Sequence, residues 1–160
     1  MINQNMNTTK IIKTQWFPDE GLIETHLSGD VGLTVLEQWE QSLNESLEQI
    51  PNDSSFKIFI NFYGFRAADF NAHKRFRNII PMTMSKYGWK VGYLNIFEGQ
   101  TNHIVCSNTR GIQCIAAAHC HQDIAKMELF ETKYSSENEH YFIDPQQAIE
   151  WLKGINIPKC

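Results

Sequence analysis

The stretch Phe56–Arg66, FKIFINFYGFR, constrains the fold more than any other part of the chain. It follows a turn signal, Pro51-Asn52-Asp53-Ser54-Ser55, and ends at Gly64 with Arg66 just beyond. A run of strand length, rich in Ile and Phe and bounded by turn residues, fits a strand buried on both faces. It is expected to be the central strand of a small α/β domain.

What precedes it supports that reading. Ile11–Phe17 and Leu22–Leu27 are short extended segments separated by Pro18-Asp19-Glu20-Gly21, where Pro and Gly suit a reversal, so a β-hairpin is expected. In the second segment Ile23, Thr25 and Leu27 share one face, and Glu24 and His26 share the other. Gly29–Gly32 reads as a loop. Thr34 and Glu37 then have the spacing of a capping box, and Leu36, Trp39, Leu43, Leu47 and Ile50 recur at helical spacing until Pro51.

Beyond the central strand, a second helix is expected from about Ala67 to Tyr87, with Asp69 in its first turn and a kink or break at Pro81. Trp89–Phe97 reads as another buried strand, and 98–103 as a polar loop. A third helix is expected over 108–130, with Ile112, Ala116, Cys120, Ile124 and Met127 inward. His140–Ile143 is short and extended. Asp144-Pro145 has the cap and first-turn residues of a last helix, which stops at Gly154 with Ala148, Trp151 and Leu152 inward. The order β-β-α-β-α-β-α-β-α predicts an α/β fold: a single mixed, mostly parallel sheet opened by a hairpin and flanked by helices. One domain over 10–154 follows, with residues 1–9 disordered and 155–160 a tail.

Composition narrows the function. The 160 residues carry a net charge of −4 and no basic cluster denser than Lys74, Arg75 and Arg77, which argues against nucleic acid and against an anionic membrane surface. No apolar run approaches the roughly 20 residues of a membrane helix. Four cysteines (Cys106, Cys114, Cys120 and Cys160) form no C-x-x-C pair, and the polar start MINQNMNTTK has no leader pattern, so a cytoplasmic protein with reduced thiols is expected.

Three places resemble the SpoIIAA-like family of the STAS-like fold: the hairpin leading through Ser28-Gly29 into the first helix, the central strand running into Asn61-Phe62-Tyr63-Gly64-Phe65, and the close Tyr141–Leu152, YFIDPQQAIEWL. The resemblance implies a small cytoplasmic protein that works by protein interaction or, as in the CRAL-TRIO-like domains compared with this fold, by holding a lipid. The anti-sigma-antagonist branch places a phosphorylatable Ser after the central strand. The matching stretch is Gly64-Phe65-Arg66-Ala67-Ala68-Asp69, which has no Ser or Thr, so the phosphorylation switch is not carried over.

Two groups of residues are candidates for chemistry. Tyr63, Phe65 and Arg66 follow one predicted parallel strand, and Phe97, Glu98 and Gln100 follow the other, so an aromatic crevice with one guanidinium is expected at the strand ends, suited to a lipid-like anion. The ordinary alternative is a solvated Arg66 packed on Phe65 or paired with Asp69. His119, Asp123 and Lys126 are expected along one flank of the third helix, with His121 pointing away. They are either a surface ion-pair group or the core of a small hydrolase or metal-dependent enzyme. Cys114 and Cys120 read as small apolar residues rather than nucleophiles. No nucleotide or metal motif is present, and no cofactor is expected. A homodimer is an open possibility. Trp39 and Trp151 read as core, and truncating Trp151 is expected to cost about 3–5 kcal/mol.

Overall fold

The computed structural model describes residues 10–93 and 106–157. The described strands are β1 (Ile11–Phe17), β2 (Leu22–Val31), β3 (Ser55–Asn61), β4 (Phe65–Ala67), β5 (Gln113–Cys120) and β6 (Glu139–Phe142), and the helices are α1 (Leu33–Glu48), α2 (Phe70–Ser85), α3 (Ile124–Tyr134) and α4 (Pro145–Lys153). They build one sheet in the order β1-β2-β3-β5-β6, with β4 beside the end of β2. Among the described strands the β1–β2 hairpin is antiparallel and the other strand pairings are parallel. This is the expected mixed, mostly parallel sheet flanked by helices.

The alternation in β2 sorts the two faces. Ile23, Thr25 and Leu27 are buried, and Ile23 and Leu27 join the larger core with Leu36, Trp39, Leu43 and Leu47 of α1. The one polar member of the β2 trio is satisfied there, because the Trp39 indole N–H donates to Thr25 Oγ1 at 2.7 Å. On the opposite face Leu22, Phe59, Ala118 and Cys120 pack under Ala148 and Leu152 of α4. Lys57 emerges on that side, 3% exposed, and its ammonium donates to the carbonyls of Leu152 (2.5 Å) and Ile155 (2.8 Å). A strand lysine thus caps the C-terminal end of α4, where free carbonyls and the helix dipole favour a cation.

Local signals hold at most helix ends. Asp69 caps α2 by accepting from the Ala72 amide, and Asp144 caps α4 with Pro145 behind it. The capping box at Thr34 is not made: β2 runs on through Val31, so α1 begins at Leu33 with Gly32 as its cap. Of the expected loop Gly29–Gly32, Gly29–Val31 is instead the part of β2 that pairs with β4. Helix α2 continues through Pro81 as one element.

The largest correction concerns residues 108–130. In place of the expected helix stand a 3-10 turn at Thr109–Gly111, β5 and then α3, and the expected strand at Trp89–Phe97 is not formed over 89–93, while 94–97 lie outside the described residues. A strand buried on both faces shows no alternation, and three alanines favour a helix when propensity alone is read. Here pairing with β3 and β6, with both faces covered, overrides propensity. The pairing skips Ile115, so Ala117 faces the α1 core and Ala116 and Ala118 face α4. The backbone N–H of Gly92 is given to a carboxylate oxygen of Glu139 rather than to a neighbouring strand.

Candidate ligand cavity

A cavity of about 510 Å³ opens between α2 and α3, against the C-terminal ends of β3, β4 and β5. Parallel sheets place their ligand sites here, because helix starts and strand ends leave a crevice. Gly64 adopts φ +91° in the turn after β3. Its N–H donates to Gln122 Oε1 at 2.7 Å, and the Gln122 amide donates to the Phe65 carbonyl at 3.1 Å. One glutamine thereby ties the β3–β4 turn to the β5–α3 connection and holds that side of the cavity in shape.

The walls are aromatic. On one side Phe65 stacks on Phe76 with centroids 4.1 Å apart, and Phe62 meets Phe76 edge-on at 4.8 Å. On the other, Tyr93 stacks on Phe130 at 5.7 Å and Phe130 meets Tyr141 edge-on at 5.6 Å. Rings held in these geometries present a pre-formed apolar surface.

A polar pair is set into the inner wall. His119, from β5, and Glu139, from β6, are both buried, and His119 Nε2 lies 2.7 Å from Glu139 Oε2. The other Glu139 oxygen accepts from the Gly92 N–H at 3.1 Å, and the Tyr141 hydroxyl reaches Oε2 at 3.4 Å. The imidazole lies flat on Tyr141, 4.5 Å away and 13° from parallel, with Tyr93 edge-on. Burial, and then the nearby Glu139 charge, push the Tyr93 and Tyr141 phenols well up, so both keep their protons.

Basic side chains also line the cavity: Arg66 of β4, His73 and Arg77 of α2, His121 after β5 and Lys126 of α3. Lys126 is an exposed residue, yet its ammonium sits 5.6 Å over the Phe130 ring, and loss of hydration lowers its pKa despite Asp123. Burial also lowers the pKa of His73, helped by Arg77 and Lys126, and that of His121, helped by Lys126. Among the described lining residues these basic groups outnumber the acidic ones, of which Asp123 is one, and such a lining favours an anion.

The two groups of candidate residues meet in this one cavity. Phe65 and Arg66 line it from one side, and His119, Asp123 and Lys126 from the other. Tyr63 is 46% exposed and stands off the wall, and Phe97, Glu98 and Gln100 lie outside the described residues. Arg66 pairs with Asp30 rather than Asp69, at 3.0 Å. Asp123 is not the partner of His119; it caps α3 by accepting from the Lys126 amide. His121 does not point away, because residues two apart on an extended chain share a face, and it lines the cavity with His119. Glu139, Tyr141 and Arg77 were not identified from the sequence. The Asp-x-x-Lys cap at Asp123 was the signal that a helix starts there and that 113–120 precedes it as a strand.

Cys114 and Cys120 are buried, as expected, and burial pushes the Cys120 thiol up to about 12. Among the described residues no group of three or more His, Cys, Asp or Glu converges to hold a metal, and no helix is long and apolar enough to cross a membrane. A wider depression of about 680 Å³ lies at the opposite end, around the β1–β2 turn. Its lysines already have partners, Lys57 in the end of α4 that it caps and Lys153 in Glu20. No protein-family model, curated protein or solved structure matches the chain.

Proposed function

We propose that the protein is a non-enzymatic, cytoplasmic binding module of the STAS-like, SpoIIAA-like kind that holds a small amphipathic anion in the cavity between α2 and α3. The observation that carries this reading is the pairing of two aromatic walls with a group of basic residues in one space of about 510 Å³. That volume suits a drug-sized or fatty-acid-like ligand. The apolar body would lie against Phe65, Phe76 and Phe130, with the anion on Lys126 and Arg77. Native mass spectrometry of freshly purified protein, with displacement of a fluorescent fatty-acid probe, tests it. A one-to-one complex is expected, weakened about tenfold in Lys126→Ala, since a hydrogen bond to a charged group contributes roughly 1.5–3 kcal/mol. A bare mass that binds no probe sinks the proposal. The same spectra read the homodimer that we include in it.

A second reading has one observation in its favour. A carboxylate holds the imidazole of His119 in a cavity, as a general base is held, although that carboxylate is Glu139 and not Asp123. Hydrolysis of 4-nitrophenyl alkanoates by the wild type, lost in His119→Phe, would select this reading over simple binding.

A further inference from the structure

The walls of the cavity are not uniform, and the difference bears on which anion fits. This step rests on the cavity being a binding site. We infer that the cavity selects an amphipathic anion carrying a hydroxyl on its buried end, and that His119 reads that hydroxyl.

His119 lines the cavity and is 5% exposed. Its Nε2 is given to Glu139, so Nδ1 is the ring nitrogen left for a ligand. Glu139 acts as an acceptor, taking the Gly92 N–H on one oxygen and facing the Tyr141 hydroxyl on the other. With the imidazole neutral, the proton of the His119–Glu139 bond sits on Nε2 and Nδ1 is an acceptor. Stacking on Tyr141 at 4.5 Å and the edge of Tyr93 at 5.7 Å hold the ring plane, so the acceptor cannot turn aside. An alkyl tail laid on it would remove water from a polar atom and return no hydrogen bond. A ligand group that donates is needed. An ammonium is disfavoured by Arg77 and Lys126 around the same space. A hydroxyl, aliphatic or phenolic, donates without charge.

Isothermal titration of the full chain with dodecanoate and 12-hydroxydodecanoate tests the inference. The hydroxylated acid is expected to bind about tenfold more tightly, the order of one buried acceptor left unpaired. In His119→Phe, which keeps a ring on Tyr141, the ratio is expected to fall to about one. Should that variant fail to fold, nitrogen NMR of the wild-type His119 ring replaces it: the Nδ1 resonance should move toward the hydrogen-bonded range with the hydroxy acid and not with dodecanoate. Equal affinities for the two acids overturn the inference and leave the binding reading standing. A preference that survives His119→Phe, or an Nδ1 resonance that ignores the hydroxyl, overturns the role given to His119. If the wild type binds neither acid, the binding reading falls and this inference with it.

Discussion

His119 Nε2 lies 2.7 Å from Glu139 Oε2, and the two side chains are only 6% and 4% exposed. They stand on neighbouring parallel strands, β5 and β6, with Tyr141 opposite His119 in the register. Removing one member of such a pair strands the other without water. Glu139→Ala should destabilise the protein by about 3–5 kcal/mol, and Glu139→Gln, which keeps an acceptor, by less. Urea denaturation reads both. A loss below about 1 kcal/mol for Glu139→Ala would mean the pair is not formed in solution.

Trp39 and Trp151 separate two grades of core. Trp39 is fully buried and hydrogen-bonded to Thr25, so Trp39→Ala should cost about 3–5 kcal/mol. Trp151 is only partly buried, its ring edge-on to His140 with centroids 4.8 Å apart. Trp151→Ala should cost roughly 1–2 kcal/mol, a fraction of full burial and less than its helix spacing suggests. Equal losses in a denaturant melt would contradict this ranking.

Three histidines make stability fall on mild acidification. Burial, its leading cause in each case, lowers the pKa of His26, His73 and His121 below 6.5. Between the folded and unfolded values the unfolded chain binds the extra protons, so stability rises with pH there. It is full above about pH 6.5 and declines as pH drops through 6.5 toward the folded values, where the decline levels off. A bound anion reverses the sign at His73 and His121, and its affinity should rise over the same window. Urea midpoints and probe titrations at a series of pH values measure both. A flat stability profile across that window, or ligand affinity that drops on acidification, would be incompatible with these environments.

Thiol reactivity should be uneven. Burial raises the Cys114 and Cys120 thiols, the latter to about 12, whereas Cys106 is exposed. Iodoacetamide at mildly alkaline pH should modify Cys106 and spare Cys114 and Cys120 until the protein unfolds, because the thiolate is the reacting form. Peptide mass spectrometry gives the order. Early modification of Cys120 would mean that the α4 side of the sheet opens readily.

Much of the frame was legible in the sequence. The β1–β2 hairpin, the inner stripe of α1 and the start of α4 at Asp144-Pro145 appear where local chemistry puts them, whereas the strand expected over Phe56–Arg66 ends at Asn61 and its last residues form the turn at Gly64 and the start of β4. Capping side chains, turn residues and amphipathic spacing act within a few residues, so they can be read without the fold. The site was half legible. Phe65, Arg66, His119 and Lys126 were candidates, but as two separate places and with the wrong carboxylate beside His119.

What the chain determines alone is its sequence of local preferences, including the hydrophobic run at 56–62 and the helix around it in order. Only the tertiary structure decided that Gln113–Cys120 is a strand, since three alanines prefer a helix until β3 and β6 pair with the strand's two edges and the α1 core and α4 cover its faces. That decision set His119 beside Glu139, gave the Gly92 amide to the same carboxylate, and brought α3 opposite α2 to close one cavity. Pairing between strands far apart in sequence leaves no local pattern, which is why the cavity could be seen only once the sheet was assembled.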